Sequence, residues 1–374
     1  MTHHADLPHR PEPPGLTPVT EPASKRPRRR RLLAIGLLAL LAATAAWTWW
    51  AEDHPRQERR LRVLVHDQLY HWFPAQMAPD DGWHGLHQRV APAATAQALR
   101  VLLIHGLDEP GTIWDDLAPA LGAAGFEVWE LRYPNDQGID RSADYLASHW
   151  PELPPGRPLV LIGHSMGGLV ARDFVSRWRH PVGEGARVEG PAVAGVILVG
   201  SPNQGSEWAR LRVWLELRDQ FTTVEGRHFS LFAALRDGTG EAKIDLRPGS
   251  DFLRALNARP WPTAVPIRAI EGRLLAAPPE FAAGLDAAAA ATGSAALRRR
   301  LAAWWNSIGA DLGDGVVTLE SARDPGGGAP LVLKAAHRAL LLRSRPGDPP
   351  PPAIAPILDI LHQWGVAQPG RDGT

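Results

Sequence analysis

Residues 159–170 have the sequence LVLIGHSMGGLV, in which an apolar run stops at a short turn. Ser165 stands in this turn, with Gly163 and Gly167 two residues away on either side. A Gly-x-Ser-x-Gly pentapeptide between a strand and a helix is typical of a sharp turn that forces the serine into a strained backbone conformation. Side chains at the two glycine positions would strike the neighbouring strand and helix. The segment therefore predicts a nucleophilic serine at a helix N-terminus, where negative charge is favoured. The alternative is an ordinary turn serine.

Four further apolar runs alternate with helical patterns on both sides of this segment. Nearly continuous Val, Ile and Leu runs separated by helices indicate a parallel sheet covered on both faces. We therefore predict an α/β domain over 99–366, with helices near Thr112–Ala123, Asp140–His149 and Met166–Arg179. The predicted strands are LRVLLIHG (99–106), FEVWELRYP (126–134), PLVLIGHS (158–165), VAGVILVGSP (193–202) and VPIRAIEG (265–272).

Two stretches are too long to be plain connections between these elements. We expect an insertion or lid at about 203–263 and a second, alanine-rich helical insertion at about 278–310. In the first, Trp208, Leu211 and Trp214 either line an acyl pocket and form a lid, or simply pack against the sheet. Residues 367–374 are expected to be a flexible tail.

The N-terminal part of the chain has a different composition. Residues 1–24 are rich in proline and polar groups, which predicts a disordered tail. Six basic residues in Lys25–Arg31 precede Leu32–Trp50, nineteen residues without charge that reach roughly 28 Å as a helix, at about 1.5 Å per residue. This pattern predicts a transmembrane signal anchor over 25–50, with the N-terminus cytoplasmic. The alternatives are a signal peptide cleaved near Ala43–Ala46 and a buried soluble helix.

The anchor sets the expected location of the rest of the chain. The bias toward Ala, Arg, Gly and Pro resembles that of a GC-rich bacterial genome. We therefore expect a single-pass protein of the bacterial inner membrane whose catalytic domain is periplasmic. Residues 51–98, a mixed stretch, are expected to form a linker and entry segment that packs on the domain.

Charge and cysteine content exclude several classes of function. The 40 basic and 40 acidic residues balance, so no overall basic field points to nucleic acid. The chain has no cysteine, which excludes disulfides, thiol catalysis and cysteine-ligated metal centres.

A serine hydroxyl needs a base, and the base needs an orienting acid. Serines on such turns are followed along the chain by the acid and then the histidine. His337, in LVLKAAHRALL (331–341), follows a strand-like run and is the best placed base. The other downstream histidines are His180, His228 and His362. His164 is adjacent to the serine, and we expect its side chain to diverge from it.

The acid has three candidates. Asp314, in GADLGDGVVTLESA (309–322), precedes a glycine and a predicted strand, so its carboxylate is expected in a tight turn at the sheet edge. Asp311 and Glu271 are the competitors, and Glu271 directly follows the last predicted strand of the five.

The tetrahedral intermediate of acyl transfer also needs hydrogen-bond donors for its oxyanion. The backbone N–H of Met166, directly after the serine, is one candidate. The other is the N–H of Leu107, in the IHGL loop (104–107) after the first strand. Gly106 lets this loop approach closely, and His105 is expected to brace it.

Six segments resemble the α/β-hydrolase superfamily, and more narrowly the bacterial lipases and the lipases similar to GPI inositol-deacylases. They are VLLIHGL (101–107), GHSMGGLVAR (163–172), VGSPNQGS (199–206), LRPGSDFLRALN (246–257), GDGVVTLESA (313–322) and AAHRALL (335–341). The resemblance covers roughly 99–345 and implies an α/β-hydrolase fold.

The resemblance also implies site residues. It implies a triad of Ser165, Asp314 and His337, with Leu107 and Met166 as oxyanion donors, and a mobile region after SPNQGS that covers the site. Some bacterial lipases of this type bind structural calcium through an aspartate two residues after the histidine. That position is Ala339 here, so we expect no such calcium, and no cofactor is implied.

Together these features predict a membrane-anchored serine esterase or lipase that forms an acyl-enzyme. The expected partners are an acyl ester substrate, with lipids among the candidates, and the membrane. An acyltransferase or thioesterase could use the same triad, since the difference lies in the group that accepts the acyl chain. A tethered interaction module with an inert fold is the alternative from another class.

Overall fold

The structure is a computed structural model of the chain. It describes residues 26–77, 82–92, 97–107, 109, 111–207, 239–274, 287, 296, 299–300 and 313–366. The chain divides into two compact units, Met1–His54 and Pro55–Thr374. The predicted tails, 1–24 and 367–374, lie outside the described residues.

In the described part of the first unit, helix α1 spans Arg26–Asp53. It includes Arg26–Arg31 of the basic flank and the apolar run Leu32–Trp50, which the sequence predicts to be a membrane anchor. Within the described residues, no helix combines the length and the apolar character that crossing a bilayer requires.

The second unit is built on a seven-stranded sheet of order β1-β3-β2-β4-β5-β6-β7. β1 runs antiparallel to β3, and every other neighbouring pair is parallel. The prediction of a mostly parallel sheet is therefore confirmed. The strands are β1 (Gly85–Val90), β2 (Arg100–Ile104), β3 (Glu127–Arg132), β4 (Leu159–His164), β5 (Val193–Val199), β6 (Ile267–Gly272) and β7 (Leu331–Leu333).

The helices of this unit follow the predicted order with small shifts. A short 3₁₀ turn at Thr112–Trp114 replaces the first turn of the helix expected from Thr112. The helix after Ser165 continues in π-helical form over Val175–Arg179. The described helices are α2 (Pro55–Trp72), α3 (Pro74–Met77), α4 (Leu117–Ala123), α5 (Ile139–His149), α6 (Met166–Phe174), α7 (Glu241–Asp245), α8 (Asp251–Ala258) and α9 (Ile354–Val366).

Two apolar layers cover the sheet, one on each face. Alternate residues of β2 face opposite sides, as the two-residue period of a strand requires. Leu102 and Ile104 are buried in the layer that includes α5 and α6. Val101 and Leu103 are buried in the layer that includes α4 and α9. The sheet is therefore fixed from both faces, and the loops at the carboxyl ends of its strands rest on a rigid base.

The segment 51–98, predicted as linker and entry, contains α2, α3 and the edge strand β1. β1 is not apparent from the sequence. Its sequence, GLHQRV, has no clear alternation of apolar and polar residues, and the strand is only partly buried. It is held by pairing with β3, for example Leu86 beside Leu131. Of the two predicted insertions, residues 208–238 and most of 275–312 lie outside the described residues.

Candidate active site

Ser165 lies in the turn between β4 and α6 with φ 53° and ψ −126°. Among the described residues, it alone has a positive φ without being glycine. Such a conformation is unfavourable for a residue with a Cβ and persists only where the surroundings enforce it. Its own amide donates a hydrogen bond of 2.8 Å to the carbonyl oxygen of Val199, at the end of β5. The predicted strained turn is therefore confirmed.

The glycines around Ser165 are required by close backbone contacts. A Cβ on Gly163 would lie 2.4 Å from the amide nitrogen of Gly168, and one on Gly167 would lie 2.0 Å from the carbonyl oxygen of Ile104. Both distances are far below van der Waals contact. The clashes are with the following helix and with the neighbouring strand β2, as predicted.

Replacing Gly167 with alanine is expected to destabilise the fold. The new methyl group must displace the backbone of β2, so we expect the free energy of unfolding to fall by about 3 kcal/mol. Gly185→Ala is the matched control, because a Cβ there meets nothing within 4 Å, and we expect a change within about 0.5 kcal/mol. Thermal denaturation followed by circular dichroism measures both. Equal midpoints for the two variants would show that the turn accommodates a side chain.

His337 and Asp314 form a hydrogen-bonded pair. The Nδ1 atom of His337 lies 2.6 Å from Oδ2 of Asp314, and the His337 amide donates to the Asp314 carbonyl oxygen at 3.0 Å. The other carboxylate oxygen of Asp314 accepts from the amides of Val316 and Val317, at 2.9 and 2.8 Å. Asp314 is buried, whereas the His337 side chain remains 12% exposed. The pair is thus fixed on the aspartate side and accessible on the histidine side.

The strand predicted directly after Asp314 is absent from the structure. Val316 and Val317 instead form a turn whose amides point to the Asp314 carboxylate. An aspartate that accepts from amides two and three residues later offers the backbone an alternative to a sheet ladder. The prediction of a tight turn at this residue is correct, and that of the strand is wrong.

The charges of the pair favour an ionised aspartate beside a basic histidine. Burial would raise the pKa of Asp314, but the charge and hydrogen bond of His337 outweigh burial and hold this pKa below its usual range. Burial would likewise lower the pKa of His337, but the negative charge and hydrogen bond of Asp314 raise it above the ordinary value of 6.5. Asp314 therefore stays ionised at neutral pH and strengthens His337 as a base.

Ser165 and the histidine–aspartate pair both lie close to Gly200, at the carboxyl ends of the central strands. A Cβ on Gly200 would lie 3.0 Å from the imidazole of His337 and 3.1 Å from Oδ2 of Asp314. Gly200 directly follows Val199, which accepts the amide hydrogen bond of Ser165. The three predicted residues are therefore brought to one edge of the sheet although they are far apart in the sequence.

The two predicted oxyanion donors flank the serine. Met166 is the first residue of α6, so its N–H has no acceptor within the helix. Leu107 follows Gly106, where a Cβ would lie 2.8 Å from the Cβ of Ser165. Tyr133 donates a hydrogen bond of 2.7 Å to the His105 carbonyl oxygen, and their rings stack at 4.5 Å. His105 thus braces this loop, as expected.

The structure adds a polar cluster of Glu109, His164 and Arg338, which is not apparent from the sequence. Glu109 lies 3.1 Å from His164 through one carboxylate oxygen and 3.1 Å from Arg338 through the other. Burial would raise the pKa of Glu109, but His164 and then Arg338 lower it to about 2. The cluster links the loop after Leu107 to both the serine turn and the histidine loop. No local sequence pattern predicts this cluster, because its residues are far apart in the sequence and come together only in the folded chain.

The side chain of His164 was expected to diverge from the site, but it does not. It is fully buried, and its ring lies 4.6 Å from the ring of His337. The imidazole of His337 therefore packs against a second imidazole whose other side contacts Glu109. His164 therefore helps to hold the imidazole of His337 in place by packing against it.

Glu271, a competitor for the acid, lies at the end of β6 and is fully buried. Burial and the negative charge of Asp314 raise its pKa well above the usual range. A carboxyl group that is neutral at pH 7 does not serve as the anionic partner of a histidine. Asp314, which contacts His337 directly, is favoured over Glu271 by this geometry.

The remaining candidates lie elsewhere. Nε2 of His180 accepts a hydrogen bond of 3.2 Å from the Val193 amide, at the start of β5. The ring of His362, in α9, lies 5.6 Å from that of Phe126. Both histidines therefore make contacts that stabilise the fold. Outside the described residues lie Asp311, His228 and the lid candidates Trp208, Leu211 and Trp214.

Comparison with solved structures finds lipases and esterases among those with a similar fold. The mature form of the Bacillus licheniformis lipase BlEst2 is 19% identical, with 75% of this chain and 99% of that chain covered and a TM-score of 0.47. The metagenomic carboxyl esterase MGS0156 is 20% identical, with 74% and 77% covered and a TM-score of 0.49. Staphylococcus hyicus lipase is 13% identical, with 75% and 100% covered and a TM-score of 0.49.

Comparison with curated proteins finds no match. The sequence profile of the alpha/beta hydrolase family, in contrast, matches residues 101–358. This range begins in β2 and ends in α9, so it contains the serine turn, the parallel strands and the histidine–aspartate pair. Since the match covers more than half of the sequence, the chain belongs to the alpha/beta hydrolase family.

Proposed function

We propose that the chain is a serine hydrolase that cleaves carboxylic esters, as a lipase or esterase does, through an acyl-enzyme. The observation that supports the proposal is the His337–Asp314 pair, joined at 2.6 Å, at the sheet edge where the Ser165 turn also lies. A serine held in a strained turn at a helix N-terminus, with a basic imidazole at the same sheet edge, matches the arrangement of an activated nucleophile.

In the proposed reaction, the Ser165 hydroxyl attacks the ester carbonyl carbon while His337 accepts its proton. The oxyanion receives hydrogen bonds from the N–H groups of Leu107 and Met166. When the carbon–oxygen bond to the alcohol breaks, His337 returns the proton to the leaving oxygen. Water, deprotonated by His337, then attacks the acyl-enzyme, and the bond between the acyl group and the Ser165 oxygen breaks as His337 returns the proton to that oxygen, which releases the acid. Asp314 holds the imidazole in the required tautomer and stabilises its charged form.

The test uses p-nitrophenyl esters of graded chain length together with a fluorophosphonate probe. We expect ester hydrolysis, and a covalent adduct that mass spectrometry assigns to the peptide containing Ser165. Product analysis with added alcohols or lysolipids separates hydrolysis from acyl transfer. A folded protein that neither hydrolyses any ester nor reacts with the probe would remove the proposal and leave an inert fold.

The proposed base predicts the pH dependence of the reaction. His337 must be neutral to accept the serine proton, and its pKa is raised above the ordinary histidine value of 6.5 by Asp314. We therefore expect kcat/KM to fall as the pH falls through an apparent pKa above 6.5, and to be constant on the alkaline side of it. A pH–rate profile with a short-chain ester measures this limb. A limb at or below 6.5 would contradict the pairing of His337 with an ionised Asp314.

The proposal includes membrane attachment, which is supported by the sequence. The basic cluster Lys25–Arg31 before the uncharged run Leu32–Trp50 is the pattern of a signal anchor with a cytoplasmic N-terminus. The hydrolase domain then lies on the periplasmic side of a bacterial inner membrane, near ester lipids. Retention in the membrane after sodium carbonate extraction, with the domain open to protease added from the periplasmic side, tests this. Release by carbonate would remove the anchor.

A further inference from the structure

Helix α2 turns Glu58, Arg59 and Arg62 toward the protein, whereas Arg56, Arg60 and Asp67 remain exposed. Glu58 is fully buried and forms ion pairs with Arg62 at 2.9 Å and with Arg247 at 3.3 Å. Arg59 bonds to the buried carboxylate of Asp245 at 2.7 Å. The inward side of α2 is therefore held by ionic contacts.

The outward side of α2 nevertheless exposes large apolar side chains, beside the exposed amides of Gln57 and Gln68. Leu61, Leu64, Val65 and Trp72 lie within one arc of the helix and have exposed fractions of 39, 56, 43 and 64%. Their separations of three, four, seven and eight residues place them on one face. Helices that pack on a domain normally present polar residues to water. An apolar face directed away from the body marks a surface that meets an apolar partner.

We propose that this face of α2 lies in the interface of the lipid bilayer that the chain is anchored to. Only four residues separate Pro55, where α2 begins, from Trp50, where the uncharged run ends. Along the chain, α2 therefore follows the proposed span almost directly. The inference rests on the proposed membrane attachment.

The composition around the apolar face fits a lipid interface. Phe73, which directly follows Trp72 at the end of α2, is 39% exposed, and Trp72 itself is 64% exposed. Aromatic rings are enriched at the level of the lipid headgroups. Exposed Arg60 and His71 flank Leu64 on the same side, one turn before it and two turns after it, and the acidic Asp67 between them is paired with Arg141 at 2.9 Å. A helix with an apolar face bordered by basic residues binds in the plane of an anionic membrane surface. This contact would fix how the hydrolase domain stands on the membrane.

The absence of cysteine allows a direct test with single spin labels. The full chain carrying Leu64→Cys or Trp72→Cys is labelled and reconstituted into vesicles of phosphatidylethanolamine and phosphatidylglycerol. Asp359→Cys is the matched control, an exposed position on α9, which packs on the other face of the sheet. We expect both α2 labels to be open to oxygen and closed to a water-soluble nickel chelate, at a depth of about 5–10 Å. The control label should be open to the chelate.

Three results would overturn the inference. If the protein floats with the vesicles but both α2 labels are accessible to the chelate, membrane attachment is supported, whereas insertion of the α2 face in the lipid interface is excluded. Dipolar broadening between labels of two molecules would show that a second copy covers the face. Failure to float removes the anchor and the inference together. Ester hydrolysis by each labelled variant, expected at the unsubstituted rate, shows that the domain is folded and tests the catalytic proposal separately.

Discussion

Replacement of Ser165 by alanine is expected to lower kcat for ester hydrolysis by about a million-fold. Without the hydroxyl no acyl-enzyme forms, and His337 has no proton to accept. The backbone donors of Leu107 and Met166 remain, so substrate binding and KM should change little. Initial rates with a p-nitrophenyl ester, at enzyme concentrations high enough to see residual turnover, give the measurement.

The matched control is Ser148→Ala, which removes an exposed hydroxyl that bonds to the Tyr145 carbonyl within α5. It should hydrolyse the ester at the unsubstituted rate. Because alanine at 165 keeps the positive φ costly, the thermal midpoint of both variants must be measured as well. If Ser165→Ala is folded and retains more than a small fraction of the activity, another residue is the nucleophile.

The sequence was sufficient to predict the central strands and the turn that carries the serine. β2, β4 and β5 are buried on both faces and therefore consist of almost continuous apolar runs. The glycines beside Ser165 are equally informative, because backbone atoms fill the space that a side chain would need. These features are local, so they can be recognised without knowing the fold.

The features that escaped prediction depend on contacts between distant parts of the chain. The edge strand β1 is mixed in polarity and exists by pairing with β3. Glu109 contacts His164, which lies 55 residues later in the sequence, and the residues near Glu109 give no indication of this contact. The neutral state of Glu271 follows from burial beside Asp314, which the sequence does not show. The sequence alone thus leaves the choice between Asp314 and Glu271 as the acid open, and the contact with His337 favours Asp314.

Replacing Asp314 with asparagine is expected to lower kcat by about 10⁴-fold with little change in KM. An amide at this position offers no negative charge to the imidazolium and permits the wrong tautomer of His337. The pKa of His337, which Asp314 raises, should also fall, so the acidic limb of the pH–rate profile moves to lower pH. Rates across the pH range, measured for the folded variant, report both effects.

Glu271→Gln separates this assignment from its nearest competitor. Burial and the charge of Asp314 keep Glu271 neutral, so an amide of the same shape preserves its charge, and kcat should fall less than about tenfold, a cost of about 1.4 kcal/mol. Asp311→Asn, the third candidate, should leave the rate unchanged. A loss in Glu271→Gln as large as in Asp314→Asn would mean that the two carboxyl groups act as one acid and share a single proton. A selective loss in Asp314→Asn means instead that the carboxylate joined to His337 at 2.6 Å carries the charge alone.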